Sequence, residues 1–363
     1  MSYAALLKPF SISNTTLQNR IVMPPLVIWK ARKDGCVTED HLEHFRRSAG
    51  AGLTIVEATA VSPEGRLAAT ELGLFSDEQI PGMQRLAETI SAGGSVSGIQ
   101  LNHAGGKTNT DRTYGETPLV VSQTEHTDDS KRELTERDIR RILEDFAAAA
   151  RRAVTAGFEL IELHGAHGYL GAQFLSPAIN RRTDGWGGSF EKRLRFLMEL
   201  VRRVREEIGE EALLSMRLGV TDGREDGLSV AEGTRAAEIL SRAGLDLLHV
   251  SHAGGEPAPV DPDSPYEPLL QLARPVRERI GIPVIGIGGI KTPEEANRAL
   301  EEGVCDLIAV GRGILADPGW ARKSVEGRPE AISVCRDCLP RCYHYTDPTQ
   351  CPARNELSTA EAK

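Results

Sequence analysis

Short apolar runs rich in Val, Ile and Leu alternate along this chain with longer stretches in which apolar residues recur every three to four positions. The runs fall at 20–23, 53–58, 96–101, 158–163, 213–218, 245–251, 282–287 and 306–310. They are short and nearly continuous, as strands buried on both faces are. Helical periodicity follows them, including 39–49, 135–156, 189–208, 230–243, 267–280 and 293–302. Thr135 with Asp138, Ser229 with Glu232 and Thr292 with Glu295 mark three helix starts, because a hydroxyl and a carboxylate three residues apart can satisfy the first free N–H groups. Gly157, Gly209, Gly244, Gly281 and Gly303 stand where helices should stop. Eight strands each followed by a helix predict an α/β fold, a (β/α)8 TIM barrel over 1–327. The alternative, a doubly wound sheet, lacks its glycine fingerprint after the first run. A short extension, 328–363, lies outside the repeat, and its end, 358–363, reads as a disordered tail.

The 363 residues can bury one large core, and the net charge of −9 argues against general affinity for nucleic acid or an anionic membrane, both of which need clustered positive charge. A small-molecule substrate is the better default. The start lacks the basic flank and apolar run of a signal peptide, and no later stretch is long and uncharged enough to span a bilayer, so a cytoplasmic protein is expected. Two polar, irregular connections, 104–134 and 170–189, exceed ordinary barrel loops and are candidates for a substrate rim.

In a barrel the chemistry gathers beyond the C-terminal ends of the strands. There the chain reads Leu-Ile-Glu-Leu-His-Gly-Ala-His-Gly-Tyr-Leu from Leu160 to Leu170. The spacing of His164 and His167 allows two imidazole N–H groups to converge on one oxygen, which suits a carbonyl that becomes an enolate. Tyr169 can present its hydroxyl as a general acid. A His-x-x-His metal pair is the competing reading; it needs a further ligand, and the adjacent Glu162 is expected to point away. His103 is either a ligand contact or a buried histidine, and Arg193 and Arg195 are expected to tie the 180–189 loop to the barrel. Gly286-Ile287-Gly288-Gly289 and Gly311-Arg312-Gly313 follow the seventh and eighth runs, where barrels bind phosphate through backbone N–H groups, and together they favour a phosphate-bearing ligand.

From about Leu7 to Asp317 the chain resembles the old yellow enzyme family of NADH:flavin oxidoreductases, which reduce activated carbon–carbon double bonds. The resemblance rests on Leu17-Gln18-Asn19-Arg20-Ile21-Val22-Met23-Pro24-Pro25, on Gly98-Ile99-Gln100-Leu101-Asn102-His103, on the histidine–tyrosine segment and on Leu214-Ser215-Met216-Arg217-Leu218. It implies FMN as cofactor, with Pro24, Pro25 and Ala58 against the ring, Gln100 on the pyrimidine edge, Arg217 facing N1, and Gly288, Gly289, Gly311 and Arg312 at the phosphate. It further implies NAD(P)H as reductant, an α,β-unsaturated carbonyl substrate anchored by His164 and His167, protonation by Tyr169, and a homo-oligomer. There is one departure: where many members place a threonine or cysteine near the flavin O4, this chain has Val27.

Cys335, Cys338, Cys342 and Cys351 follow C-x2-C-x3-C-x8-C spacing. Crowded thiols suit a metal or cluster better than a disulfide framework. The segment is similar to that of the dienoyl-CoA reductase and trimethylamine dehydrogenase branch, which implies a 4Fe-4S cluster beside the barrel. Zinc in a four-cysteine site is the alternative. Arg336 and Arg341 are placed to offset cluster charge, and a separate electron-transfer protein is then an expected partner.

Overall fold

The computed structural model describes residues 3–124, 127–339, 342–345 and 350–361. Eight parallel strands close into a barrel: β1 Ile21–Met23, β2 Leu53–Ala60, β3 Val96–Asn102, β4 Leu160–Gly165, β5 Leu213–Gly219, β6 Leu247–Ser251, β7 Val284–Ile287 and β8 Leu307–Ala309. Each pairs with the next, and β8 returns to β1. Around them run α1 Glu39–Arg47, α2 Ile80–Ala92, α3 Glu136–Thr155, α4 Phe190–Ile208, α5 Val230–Ser241, α6 Ala273–Arg277, α7 Pro293–Glu301 and α8 Arg312–Ala316. The barrel expected from the alternation is the one observed.

Two apolar layers hold it together. Outside the strands, one stripe of each long helix is buried; on α3 it comprises Ile139, Ile142, Leu143, Phe146 and Ala150, while Arg140 and Arg141 pair with acids toward solvent. Inside, Ile55, Leu160, Leu213, Leu247, Ile285 and Leu307 fill the floor. A hairpin, Phe10–Ile12 with Thr15–Leu17, brings Ile12 and Leu17 into that same cluster and stoppers the N-terminal end. The caps at Thr135 and Thr292 are full capping boxes, and Ser229 accepts from the Glu232 N–H.

Three local readings differ. The helix expected over 267–280 is two short pieces, Pro268–Gln271 and α6. A helix, Pro352–Glu361, occupies most of the supposed tail and packs near α8, with residues 362–363 outside the described set. Finally, β2 carries a register shift between Val56 and Thr59. One extra residue reverses the alternation of faces, so Ile55 faces the barrel floor, Ala58 faces the mouth, and Glu57 turns outward beneath α1.

Candidate active site

A cavity of about 380 Å³ opens at the C-terminal mouth of the barrel. Pro25, Ala58, Gln100 and Arg217 line its inner part, Gly288, Gly289, Gly311 and Arg312 its outer end, and His164, His167 and Tyr169 one side. Of the residues expected at the site, Pro24 alone stands behind the wall, close to Gly311. Gly288 and Gly289 have φ of +140° and +68°, and a side chain on either would run into residues 267–270, so this loop requires glycine.

The histidine pair is built by a tight reversal. His167 has φ +58° and Gly168 φ +74°, which folds the turn after β4 back so that two rings three residues apart meet. Nε2 of His164 lies 2.8 Å from Nδ1 of His167, and Nε2 of His167 lies 2.8 Å from the Ser251 hydroxyl at the end of β6. The two donors therefore do not converge on one oxygen here, each being engaged within the protein. Nδ1 of His164 is buried without a partner. That favours the tautomer with its proton on Nε2, since an orphaned N–H costs more than an orphaned lone pair.

Burial, and next the charge of Arg217, hold both imidazoles well below the ordinary pKa, and the same causes lower His252 to about 4. All three are neutral donors at physiological pH. Tyr169 packs its ring 4.9 Å from that of His164, and the Lys107 ammonium lies 4.9 Å from the tyrosine centroid. Lys107 also donates to the His167 carbonyl at 2.8 Å.

Glu162 corrects the sequence reading. Residues i and i+2 of a strand share a face, so Glu162 points into the barrel with His164 rather than away. It is committed to Gln100 and His249. Among the described residues no group of three His, Cys, Asp or Glu side chains is placed to hold a metal ion. His103 lies outside the cavity; it is buried and accepts from the Gly105 N–H at 3.0 Å. Arg193 donates to the carbonyls of Leu175 and Gly188, and Arg195 covers Trp186, so both clamp the loop before α4 as expected.

The outer end contains groups that the sequence reading passed over. Asp337 pairs with Arg312 at 2.9 Å and also with Lys291, while Glu267 stands 3.5 Å from Arg312. Lys291 stands two residues after Gly289, a signal that was available. Asp337 and Glu267 come from remote segments and had none. The loop after β1 is gripped from two sides: Glu57 accepts from the Ile28 N–H at 3.1 Å, and Nε2 of His344 donates to the Val27 carbonyl at 2.8 Å.

A second cavity, of about 250 Å³, is lined by all four clustered cysteines, each a free thiol. It shares Arg312, Cys335 and Asp337 with the first. Arg336 is turned to Glu356, and Arg341 lies outside the described residues; Arg312 and Arg354 are the cations on this wall whose place the spacing did not indicate. A third cavity, of about 860 Å³, is lined by residues of both long connections, among them Lys107, Val120, Lys131, Gln173 and Arg181.

Residues 5–331 match the model of the NADH:flavin oxidoreductase / NADH oxidase family. The chain belongs to this family. It is 40% identical over 340 residues to the NADH oxidase of Thermoanaerobacter brockii, covering 91% of this chain but 52% of that protein, about half its length. It is 37% identical over 325 residues to the NADPH dehydrogenase of Bacillus velezensis, covering 88% of this chain and 94% of that one. Among solved structures, 2-naphthoyl-CoA reductase in complex with 2-naphthoyl-CoA superposes with a TM-score of 0.88 at 28% identity, covering 99% of this chain and 59% of that one. The flavin oxidoreductase family and its barrel are thus those the sequence motifs implied. No helix among the described residues is long and apolar enough to cross a membrane.

Proposed function

We propose that this member of the flavin oxidoreductase family binds FMN in the barrel mouth and reduces the activated double bond of an α,β-unsaturated carbonyl compound, with NAD(P)H as reductant. One observation carries the reading: a single cavity has glycine turns with Lys291 and Arg312 at one end, Gln100 and Arg217 at the other, and His164, His167 and Tyr169 along one side. These ends match a phosphate and a pyrimidine, and the side between them matches a carbonyl acceptor.

FMN, held by Gln100 and Arg217 at the pyrimidine and by the glycine turns with Arg312 at the phosphate, would supply hydride-transfer chemistry between NAD(P)H and the β-carbon of the alkene. The neutral imidazoles of His164 and His167 hold the carbonyl oxygen and stabilise the charge it gains. The Tyr169 hydroxyl gives the α-carbon its proton. Arg217 supplies a fixed positive charge at the pyrimidine, favouring the electron-rich form. Val27 lines the cavity and offers no side-chain hydrogen bond, so tuning of the flavin potential by such a bond is absent at this position.

A second role is favoured by the cysteine cavity, which adjoins the flavin cavity. In this reading residues 1–327 form the FMN barrel and 328–363 an extension holding a 4Fe-4S cluster that exchanges electrons with a separate protein. Four free thiols around one cavity support a cluster there. Tetrahedral zinc at ~2.3 Å from each sulfur needs the thiolates close together, whereas a cubane gives each its own iron. Anaerobic purification followed by an absorption spectrum, iron and sulfide analysis, and reoxidation of the reduced protein by 2-cyclohexenone tests both roles. A bound flavin reoxidised by the enone is expected; a colourless protein would end the flavin reading.

A further inference from the structure

Beneath the flavin cavity three strands contribute a closed polar chain. The Gln100 amide nitrogen on β3 donates to Oε1 of Glu162 on β4 at 2.7 Å, and Nδ1 of His249 on β6 lies 2.9 Å from Oε2. Glu162 and His249 are wholly buried and Gln100 is 1% exposed. Register places Gln100 opposite Glu162, and Ser215 of β5 opposite Glu162 on the other side. Because Ser215 is short, Glu162 can reach past β5 to His249.

An ionised carboxylate only accepts hydrogen bonds, so both neighbours must donate to it. This breaks the symmetry of the Gln100 amide. With its nitrogen turned to Glu162, its oxygen is the atom left to meet a ligand. The edge of a flavin pyrimidine presents an N–H at N3 between two carbonyls. An amide oxygen can accept from N3–H, while a flipped amide would set donor against donor. His249, with Nδ1 turned to Glu162, keeps the carboxylate from rotating away, and its Nε2 has no partner. Burial and next the nearby Arg217 charge lower the pKa of this imidazole, against the opposing pull of Glu162.

We propose that Glu162 is a positioning residue for the flavin, orienting the Gln100 amide oxygen toward N3–H and placing a buried negative charge below the pyrimidine that opposes Arg217. The inference rests on FMN occupying the barrel mouth. It makes affinity and redox potential respond in opposite ways. Loss of the carboxylate weakens FMN binding, because Gln100 is no longer held in one orientation. It also shifts the two-electron potential positive, because an adjacent negative charge no longer resists reduction. A packing defect alone would not pair these effects.

The test uses apoprotein titrated with FMN by fluorescence and reduced against a reference dye. Glu162→Met is expected to weaken FMN by about tenfold, the worth of one well-formed hydrogen bond, and to raise the potential. Glu162→Gln, which removes the charge and can still pair with Gln100, is expected to raise the potential with a smaller loss of affinity. In a Gln100→Ala background, Glu162→Met should cost little further affinity, since it acts through the missing amide. Wild-type affinity and potential in both Glu162 variants, or losses that simply add in the double variant, overturn the proposal. If the variants do not fold, wild-type protein loaded with ¹⁵N-labelled FMN decides it. An N3 proton protected from solvent exchange and shifted downfield supports the orientation, and a freely exchanging one overturns it. A wild-type chain that binds no FMN overturns the flavin reading as well, whereas FMN binding with an indifferent Glu162 overturns this inference alone.

Discussion

The flavin cavity and the cysteine cavity share a wall, Arg312, Cys335 and Asp337, but hold their residues in place by different means. In the first, Gln100, His164 and Arg217 sit on strands of a closed hydrogen-bonded ladder, and each side chain is aimed by register. In the second, Cys335, Cys338 and Cys342 lie on irregular backbone tied down by a few bonds, among them Ser333 to the Ala353 carbonyl and His344 to the Val27 carbonyl. A ladder orients polar groups whether or not a ligand is present. Four thiolates repel one another and gain their arrangement from what they bind.

The sharpest break of this contrast is Cys338→Ser. Iron and acid-labile sulfide are expected to disappear from anaerobically purified protein while FMN remains near one per chain. Stoichiometric zinc without sulfide in the wild type would instead make the segment a structural clip.

Next in size is replacement of both His164 and His167 by Ala. Each lost oxyanion donor typically costs about 10²–10³ in rate, so enone reduction should collapse while FMN content stays constant. Full activity in the double variant would remove the carbonyl anchor from this side of the cavity.

Tyr169→Phe is expected to slow the oxidative half-reaction by about 10², the lower range for a general acid, with flavin reduction by NAD(P)H nearly unchanged. Equal slowing of both half-reactions, followed by stopped flow, would assign the ring to packing.

A smaller effect probes the link between the regions. His344→Ala frees the Val27 carbonyl, and FMN affinity should fall a few-fold, as for one ordinary hydrogen bond. An unchanged dissociation constant would make the extension a bystander to flavin binding.

The smallest expected effect is none. Burial and next the Arg217 charge hold the His164 and His167 pKa values well below the ordinary value and that of His252 at about 4, so these bases stay unprotonated over the range where an ordinary imidazole titrates. Binding of a phenolic ligand should therefore show no imidazole break over that range by titration. A break near pH 6.5 would mean that the imidazoles are solvated and ordinary.

Much of the barrel could be read in the chain because its cause is local. Apolar runs and helical stripes repeat on a scale shorter than any loop, and caps such as Thr135 with Asp138 act within one turn. The same locality made His164, His167 and Tyr169 legible, since one tight turn carries all three. Asp337, Glu267 and His344 were not legible, because each meets the flavin cavity or its loop across a large sequence separation.

Sequence by itself determined the eight barrel strands in their order, the glycine turns after the seventh and eighth of them, and many of the chemical groups available at the mouth. Tertiary structure decided which faces those groups take. The extra residue in β2 turned Ala58 inward and Glu57 outward, closure of the barrel let Glu162 span from β3 to β6, and the folded extension set Asp337 against Arg312 and Lys291. The physical reason is that composition and periodicity are properties of neighbours in the chain, while a buried charge or hydrogen bond is satisfied by whichever group the closed barrel brings within reach.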